Sequence, residues 1–343
     1  MPIDPNRISK GRPYMSSGPR GRLDGIACLA IAGTLVCWSS TPIWIKYLAD
    51  YFDPFSQNLY RYAFALLFWL PFLVLRQWTG RVPRSVWALA IAPTVANTLM
   101  QTFWAWSLYY LDAGVMALLA RTTVIWSALL SIAVFADERR LARSGRFWIG
   151  LLCGLIGAVG VLAYKPGFNV WDRVATSTDQ KTLIGAVMVL VAAFLWSVYA
   201  VMVRLTMRGT DPRTAFAVIA LETTAGCAAI AVACGTPDHV LQVPWRVILV
   251  TALSGWICIA LAHVCYYTAI QRIGVAVPAA VLQLTPFAVV CLSYFIFRER
   301  FTSGQLAGGV VIVLGSALAL WAQGQLGPRA TGAAEPGSRK NRP

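Results

Sequence analysis

Seven stretches of the chain, each at least 18 residues long, contain no Asp, Glu, Lys or Arg. A helix rises about 1.5 Å per residue, so about 20 apolar residues cross the roughly 30 Å hydrocarbon core of a bilayer. Hydrophobic residues make up 58% of the chain and charged residues 13%, unlike a soluble domain. The chain is therefore predicted to be a polytopic membrane protein. The stretches are residues 25–45, 85–111, 147–164, 182–203, 247–271, 273–297 and 301–328.

Three further stretches have the same apolar character, but each carries one charged residue in its interior. The hydrocarbon core offers no water, so a spanning segment must satisfy its own backbone hydrogen bonds. Long apolar runs do so as helices, whereas barrel strands alternate in polarity over about ten residues. We therefore predict an all-α polytopic membrane protein with ten transmembrane helices. The three stretches are 55–75 with Arg61, 113–136 with Arg121, and 213–237 with Glu222.

The chain contains an internal repeat. A shift of 158 residues places Trp38-Ser39 on Trp196-Ser197 and Asp53-Pro54 on Asp211-Pro212. Because each copy has five helices, an odd number, the second copy enters the membrane from the opposite side. The chain is thus predicted to be two inverted five-helix repeats, an arrangement that suits alternating access. The same shift also aligns Lys46 with Arg204, Trp87 with Trp245, Tyr109 with Tyr267, Gly150 with Gly308, and Gly157 with Gly315.

The predicted organisation has five parts. A first repeat and a second repeat are joined by a connecting loop, and tails rich in Gly, Pro, Ser and Arg flank them. We expect the tails to be disordered and cytoplasmic, because this orientation places most Lys and Arg inside. Basic loops that face anionic lipid then explain the net charge of +15, and we expect the partner to be the lipid bilayer and not a nucleic acid. The parts are residues 1–24, 25–164, 165–181, 182–323 and 324–343.

Glycines recur at spacings of four or seven in the fifth and tenth spans, which allows close approach between helices. These spans, 147–164 and 303–323, are predicted to act as scaffold or as the contact of a homodimer. All eight cysteines fall inside predicted spans and form no Cys-x-x-Cys pair, so they are predicted to be packing residues. We expect no metal and no cofactor. The glycines are Gly150, Gly154 and Gly157, and Gly304, Gly308 and Gly315.

These features together resemble the EamA-type branch of the drug/metabolite transporter superfamily over residues 25–323. The most specific marks are the acidic-Arg endings at 138–139 and 299–300. The resemblance implies a carrier of the bacterial inner membrane, typically an exporter of amino acids or other small metabolites, with a central cavity. One departure is that the fourth span reads Arg121-Thr122-Thr123-Val124, where such proteins often have a small residue followed by Pro.

Ionisable residues within spans are the first candidates for a site, because burying charge in lipid is costly. Arg121 lies near mid-membrane opposite Gln283 in the repeat, and its guanidinium suits a carboxylate. It could instead form a structural ion pair. Arg61 is a shallower candidate that could extend to the headgroups.

Glu222 and His263 are candidates for proton coupling. Glu222 lies at the centre of the seventh span, but it could instead pair permanently with Arg121 or Arg61. His263 shares one helical face with Trp256, Ala260 and Tyr267, where a packing role is the alternative.

Polar and aromatic residues complete the predicted substrate site. The third span carries a stripe on one helical face, which lipid would not favour and which should therefore face a cavity. Trp38 and Trp196, equivalent in the repeat, either line that cavity or pack. The stripe consists of Asn97, Gln101 and Trp104, and Tyr199 and Tyr267 are further predicted contacts.

The sequence therefore predicts a secondary carrier, not an enzyme, that exports a small amino-acid-like or carboxylate substrate. The alternatives are a membrane-embedded lipid-modifying enzyme and a channel or receptor without a transport cycle. Only two histidines are present, and they form no catalytic set with other residues.

The inverted arrangement can be tested by cysteine accessibility labelling in intact and inverted vesicles. Single cysteines introduced within 139–146 and within 298–300 should react from opposite faces of the membrane, because the two stretches end equivalent helices of inverted copies. Reaction of both stretches from one face would contradict the inversion.

Overall fold

The computed structural model describes residues 24–107, 110, 116, 119–164, 180–289, 291 and 302–325. Within these residues the chain forms ten long helices and no strand, which confirms the all-α polytopic fold. Seven of the ten are long and apolar enough to cross a membrane. The helices are α1 Gly25–Leu48, α2 Pro54–Trp78, α3 Arg84–Ser107, α4 Ala120–Val134, α5 Gly145–Ala163, α6 Gln180–Thr206, α7 Pro212–Cys234, α8 Trp245–Ile273, α9 Ala276–Val289 and α10 Ser303–Gln325.

Several predicted segments lie wholly or largely outside the described residues. They are the two tails, the connecting loop 165–181, and the acidic-Arg ending at 299–300. The side chain of Lys46 is also outside them.

The Asp-Pro pairs begin α2 and α7, and they also join the two helices. Pro54 occupies the first turn of α2, and the Asp53 carboxylate accepts hydrogen bonds from the backbone N–H groups of Phe55 and Ser56 at 2.9 and 3.0 Å. Asp53 also accepts a bond from the backbone N–H of Thr236, just beyond the end of α7, at 2.9 Å. Burial acts to raise the pKa of Asp53, but the bonds from Ser56 and Thr236 outweigh it and lower the pKa.

The equivalent aspartate makes the reciprocal contact at the other end of the same helix pair. Asp211, before α7, accepts a hydrogen bond at 3.0 Å from Arg76 in the last turn of α2. The beginning of each helix therefore meets the end of its repeat partner. Two equivalent antiparallel helices with exchanged contacts are what a two-fold axis across the bundle requires.

Helices α5 and α10 repeat this reciprocity through glycine. A Cβ atom on Gly150 would lie 2.6 Å from the carbonyl oxygen of Gly315, and one on Gly157 would lie 2.6 Å from that of Gly308. Gly150 is equivalent to Gly308 and Gly157 to Gly315, so each contact is the symmetry mate of the other. These glycines pack the two helices of one chain together, and a homodimer through the outer faces of α5 and α10 stays a prediction.

Ion pairs join the repeats at one end of the bundle, called here the basic end, which holds residues 24, 76–84, 135–146, 204–213 and 272–276. Arg76 binds Asp211 at 3.0 Å, and Arg204 binds Asp137 at 2.6 Å and also Glu138. Arg272 at the end of α8 binds Asp24 at the start of α1. Each of these pairs crosses from the first repeat to the second.

The α5–α10 contact can be tested with two glycines of the same helix. Gly157→Ala should destabilise the protein by about 1–3 kcal/mol, because the new methyl group would overlap the backbone of α10. Gly160→Ala should be nearly neutral, since the nearest atom there, Cα of Gly308, is 3.6 Å from the new Cβ. Thermal unfolding in detergent measures both, and equal melting temperatures would contradict the close contact.

Candidate functional site at the seam

The seam is the surface along which α1–α4 of the first repeat face α6–α9 of the second, and its centre is aromatic. Trp38 of α1 and Trp196 of α6, which are equivalent in the repeat, meet edge to face with ring centroids 5.0 Å apart. His263 lies 5.5 Å from Trp38 and 5.5 Å from Phe216, between centroids. We call the following set the aromatic cluster: Trp38, Trp196, Tyr199, Phe216, His263, Tyr266 and Tyr267.

Polar atoms remain buried among these rings. The hydroxyl groups of Tyr199 and Tyr267 are hydrogen-bonded to each other. Nδ1 of His263 bonds to the carbonyl oxygen of Ile259 at 2.9 Å. Among the described residues, however, Nε2 of His263 and the hydroxyl of Tyr266 have no hydrogen-bond partner. Burying such atoms without partners is costly, so the cluster has unused capacity to bind a polar group.

Helix α8 passes the aromatic cluster as a π-helical segment, Gly255–Leu261. Two carbonyl oxygens of this segment accept hydrogen bonds from indole groups: Cys258 from Trp38 at 3.1 Å, and Ala260 from Trp69 at 3.2 Å. A π turn is rare, and it is found frequently at functional sites. These two bonds connect α8 to α1 through Trp38 and to α2 through Trp69.

The π-helical segment also changes which residues share a face of α8. The sequence predicted that Trp256, Ala260, His263 and Tyr267 would line one face of a regular helix. In the structure His263 and Tyr267 are buried, but Trp256 is 36% exposed and donates its indole N–H to the carbonyl oxygen of Phe64. The wider turns shift the helical register, so that Trp256 leaves the face that holds His263.

A hydrogen-bonded network of uncharged groups lies beside the aromatic cluster. The hydroxyl of Tyr62 on α2 accepts bonds from Asn97 at 2.9 Å and Gln101 at 3.0 Å, both on α3. Asn97 also donates to the hydroxyl of Thr223 on α7 at 3.2 Å. Its carbonyl oxygen Oδ1 is buried and has no partner within the described residues. The network therefore joins both repeats and retains an acceptor for a donor group.

Glu222 and Arg61 have separate polar partners. Thr94 of α3 donates its hydroxyl to the Glu222 carboxylate at 2.9 Å, and Glu222 is half-buried. Arg61 is buried and donates its Nε to the hydroxyl of Ser254 on α8 at 2.8 Å. Among the contacts of the described residues, Glu222 and Arg61 form no ion pair with each other. The permanent Glu222–Arg61 pair, one of the alternatives from the sequence, is therefore not formed in this structure.

Arg121 and Gln283 come together from equivalent helices. Arg121 lies in the 3-10 turn Ala120–Thr122 at the start of α4, and Gln283 lies in the 3-10 turn Leu282–Leu284 of α9. The Gln283 amide donates to the backbone carbonyl of Arg121 at 3.4 Å. A Cβ on Gly154 of α5 would lie 3.5 Å from that of Gln283. A cationic side chain and an amide therefore stand on adjacent turns at the α4–α9 contact.

The predicted stripe on α3 is divided. Asn97 and Gln101 belong to the polar network, whereas Trp104 packs against Met116, Ala120 and Val189 in a separate apolar cluster. Sequence reasoning missed Tyr62, although it follows Arg61 directly inside a predicted span. It also missed Tyr266 and Phe216, because aromatic residues are too frequent in membrane helices to single these out.

The described residues of the seam offer rings, neutral donors and acceptors, and a cation. The described residues contain no group of three or more His, Cys, Asp or Glu side chains that could hold a metal ion.

Comparison with known proteins agrees with this architecture. The chain is 24% identical over 289 residues to a protein from Archaeoglobus fulgidus described as an uncharacterized transporter, covering 84% of this chain and 94% of that protein. A protein of known crystal structure has the same fold, with a TM-score of 0.66 at 17% identity, over 85% of this chain and 96% of the other. The family model described as the EamA-like transporter family matches twice, at residues 25–163 and 183–321. This chain therefore belongs to the EamA-like transporter family.

Proposed function

We propose that the protein is a secondary carrier that exports a small amino-acid-like or carboxylate metabolite by alternating access. The observation that carries this proposal is the reciprocity of contacts between equivalent helices, as in the pairs α2–α7 and α5–α10. Two halves related in this way can exchange shapes, which opens the seam alternately at each end.

The binding groups of the seam support a zwitterionic or anionic substrate. Arg121 supplies a guanidinium for a carboxylate, and Gln283 lies beside it. Asn97 and Gln101 provide amides, and Trp38, Trp196, Tyr199 and Tyr267 provide ring surface. Arg61 is held by Ser254 and contributes positive charge from the same helix as Tyr62.

The proposed location is the bacterial inner membrane, with both termini in the cytoplasm. Exposed arginines at the basic end support this orientation, since cytoplasmic loops carry an excess of Lys and Arg. They include Arg81, Arg84, Arg139, Arg140, Arg143 and Arg146. The ion pairs that join the repeats at the basic end then close the cytoplasmic side of the seam.

Proton coupling is proposed to use Glu222 or His263. Thr94 donates a neutral hydrogen bond to the Glu222 carboxylate, and this hydroxyl can stay close to either protonation state of the carboxyl group. His263 keeps one ring nitrogen without a partner within the described residues.

The carrier function can be tested in proteoliposomes that are supplied with a panel of radiolabelled amino acids and small carboxylates. The wild type should show saturable uptake that is accelerated by unlabelled compound inside, which is the counterflow expected of a carrier. Arg121→Ala should abolish counterflow, and Arg121→Lys should restore part of it, because lysine keeps the charge without the planar fork.

Arg143→Ala is the matched control, because this arginine is exposed at the basic end, whereas Arg121 lies at the opposite end of α4. It should transport as the wild type does. Unsaturable, electrically driven flux would favour a channel, and undiminished counterflow in folded Arg121→Ala would exclude the anion-binding role.

The role of Glu222 can be separated from substrate binding. Glu222→Gln should retain counterflow but lose acceleration by a pH gradient, since glutamine cannot release a proton. The two assays are run on the same vesicles, with Thr94→Val as the control that removes the partner but keeps the carboxyl group. If Glu222→Gln still responds to the gradient, the coupling role passes to another group.

A further inference from the structure

Glu138 follows α4 at the basic end, and only 3% of its surface is exposed. Its carboxylate reaches across the seam to three donors of the second repeat. One is the guanidinium of Arg204 at the end of α6. The others are the backbone N–H groups of Val275 and Ala276, at 2.9 and 3.0 Å. A single side chain therefore joins the end of α4 to the end of α6 and to the start of α9.

The start of α9 is shaped to receive this carboxylate. The first N–H groups of a helix have no partner within the helix, and they favour negative charge. No side chain of α9's own N-terminus caps it. Gly274, which precedes the N-cap residue Val275, has a φ angle of +89°, and a Cβ there would lie 2.6 Å from Oε1 of Glu138. Glycine is thus required both for the backbone turn and for the space that the carboxylate occupies.

The neighbouring carboxylate has a different position. Asp137 also binds Arg204, at 2.6 Å, but its side chain is 57% exposed, whereas that of Glu138 is 4% exposed. Arg204 also stacks on the ring of Phe135, with its guanidinium carbon 4.2 Å from the ring centroid. Arg204 can therefore keep two partners when Glu138 withdraws, but the first turn of α9 cannot.

The helices that Glu138 joins also carry the candidate substrate contacts. Arg121 lies at the start of α4 and Gln283 lies farther along α9. Movement of either helix at its substrate contact is transmitted to the basic end, because helices are rigid along their length. When α4 and α9 separate, the N–H groups of Val275 and Ala276 need water in place of the carboxylate. The basic end therefore opens and admits water in the same step.

We propose that Glu138 is a gating residue of the transport cycle, a latch whose carboxylate caps α9 when the seam is closed at the basic end and releases it when that end opens. This inference rests on the proposed carrier function. It adds a specific residue to the cycle and a contact that must break in each turnover. The ion pairs Arg76–Asp211 and Arg272–Asp24 lie at the same end and assist the closure.

The test measures access to the seam directly, without any substrate. All eight native cysteines are replaced, and a reporter cysteine is placed at Ala200, which is fully buried one turn before Arg204 on α6. The purified full-length protein is treated with a water-soluble maleimide. Glu138→Gln should raise the labelling rate by about tenfold or more, the factor expected when a hydrogen bond to a charged group is lost. Asp137→Asn, the matched control, removes an ion pair to the same arginine, but this carboxylate is 57% exposed and binds no N–H group of α9 in the described contacts, so the rate should rise far less.

A second reporter separates gating from general loosening. Leu48→Cys lies at the opposite end of the bundle, where Leu48 is fully buried. Its labelling should not rise in Glu138→Gln. Faster labelling at both ends would show that Glu138 only maintains the fold, and unchanged labelling at Ala200→Cys would show that it closes nothing. Either result overturns the proposal.

A charge exchange distinguishes the cap from the ion pair. Glu138→Arg combined with Arg204→Glu restores opposite charges but leaves the first N–H groups of α9 facing a cation. Labelling at Ala200→Cys should remain fast in this double variant, and a return to the wild-type rate would overturn the capping role. These labelling assays do not depend on transport. A protein that shows the expected labelling rates but transports no solute would therefore refute the carrier function and leave the proposed role of Glu138 intact.

Discussion

A bilayer interior provides no water, so each polar atom that enters it must find its partner within the protein. This constraint explains why several buried polar groups find partners across the two repeats. Asn97 binds Thr223, Arg61 binds Ser254, and Trp38 binds the carbonyl group of Cys258. Each half of the molecule therefore satisfies groups that the other half could not satisfy alone. Apolar packing alone would not select this pairing, because lipid is as apolar as the helices.

The sequence was sufficient for the spans because charge is excluded from lipid regardless of what a helix contacts. Apolar runs with no charge, or with one charge in the interior, predicted the helices, and the repeat predicted their order. The glycine spacing also indicated close helix approach, although it did not reveal that Gly150 and Gly157 of α5 meet Gly315 and Gly308 of α10 within one chain. That outcome depends on the three-dimensional pairing of two copies.

The candidate site was less accessible from sequence, because its geometry depends on contacts between distant residues. Arg61 finds Ser254, which is 193 positions away, so an arginine that looked ready for substrate is bound to a neighbouring helix. The prediction that Trp256 shares a helical face with His263 was wrong, because the sequence shows no clear pattern for a π-helical segment. Glu138 was recognised only as part of an acidic-Arg ending, and its partners at the start of α9 are backbone groups, which no side-chain motif identifies.

The π-helical segment of α8 also marks where the two repeats have diverged. The residues of α3 equivalent to Gly255–Leu261 begin at Asn97, and they form a regular helix that carries amide side chains. One copy thus offers side-chain amides, while the other offers backbone carbonyl groups. In an α-helix each residue turns the chain by about 100°, so the shift in register changes the direction of every side chain of α8 after Leu261. Deleting one residue from that segment would turn His263 and Tyr266 away from the two tryptophans. The rewound segment of one helix is therefore what makes two similar halves form an asymmetric seam.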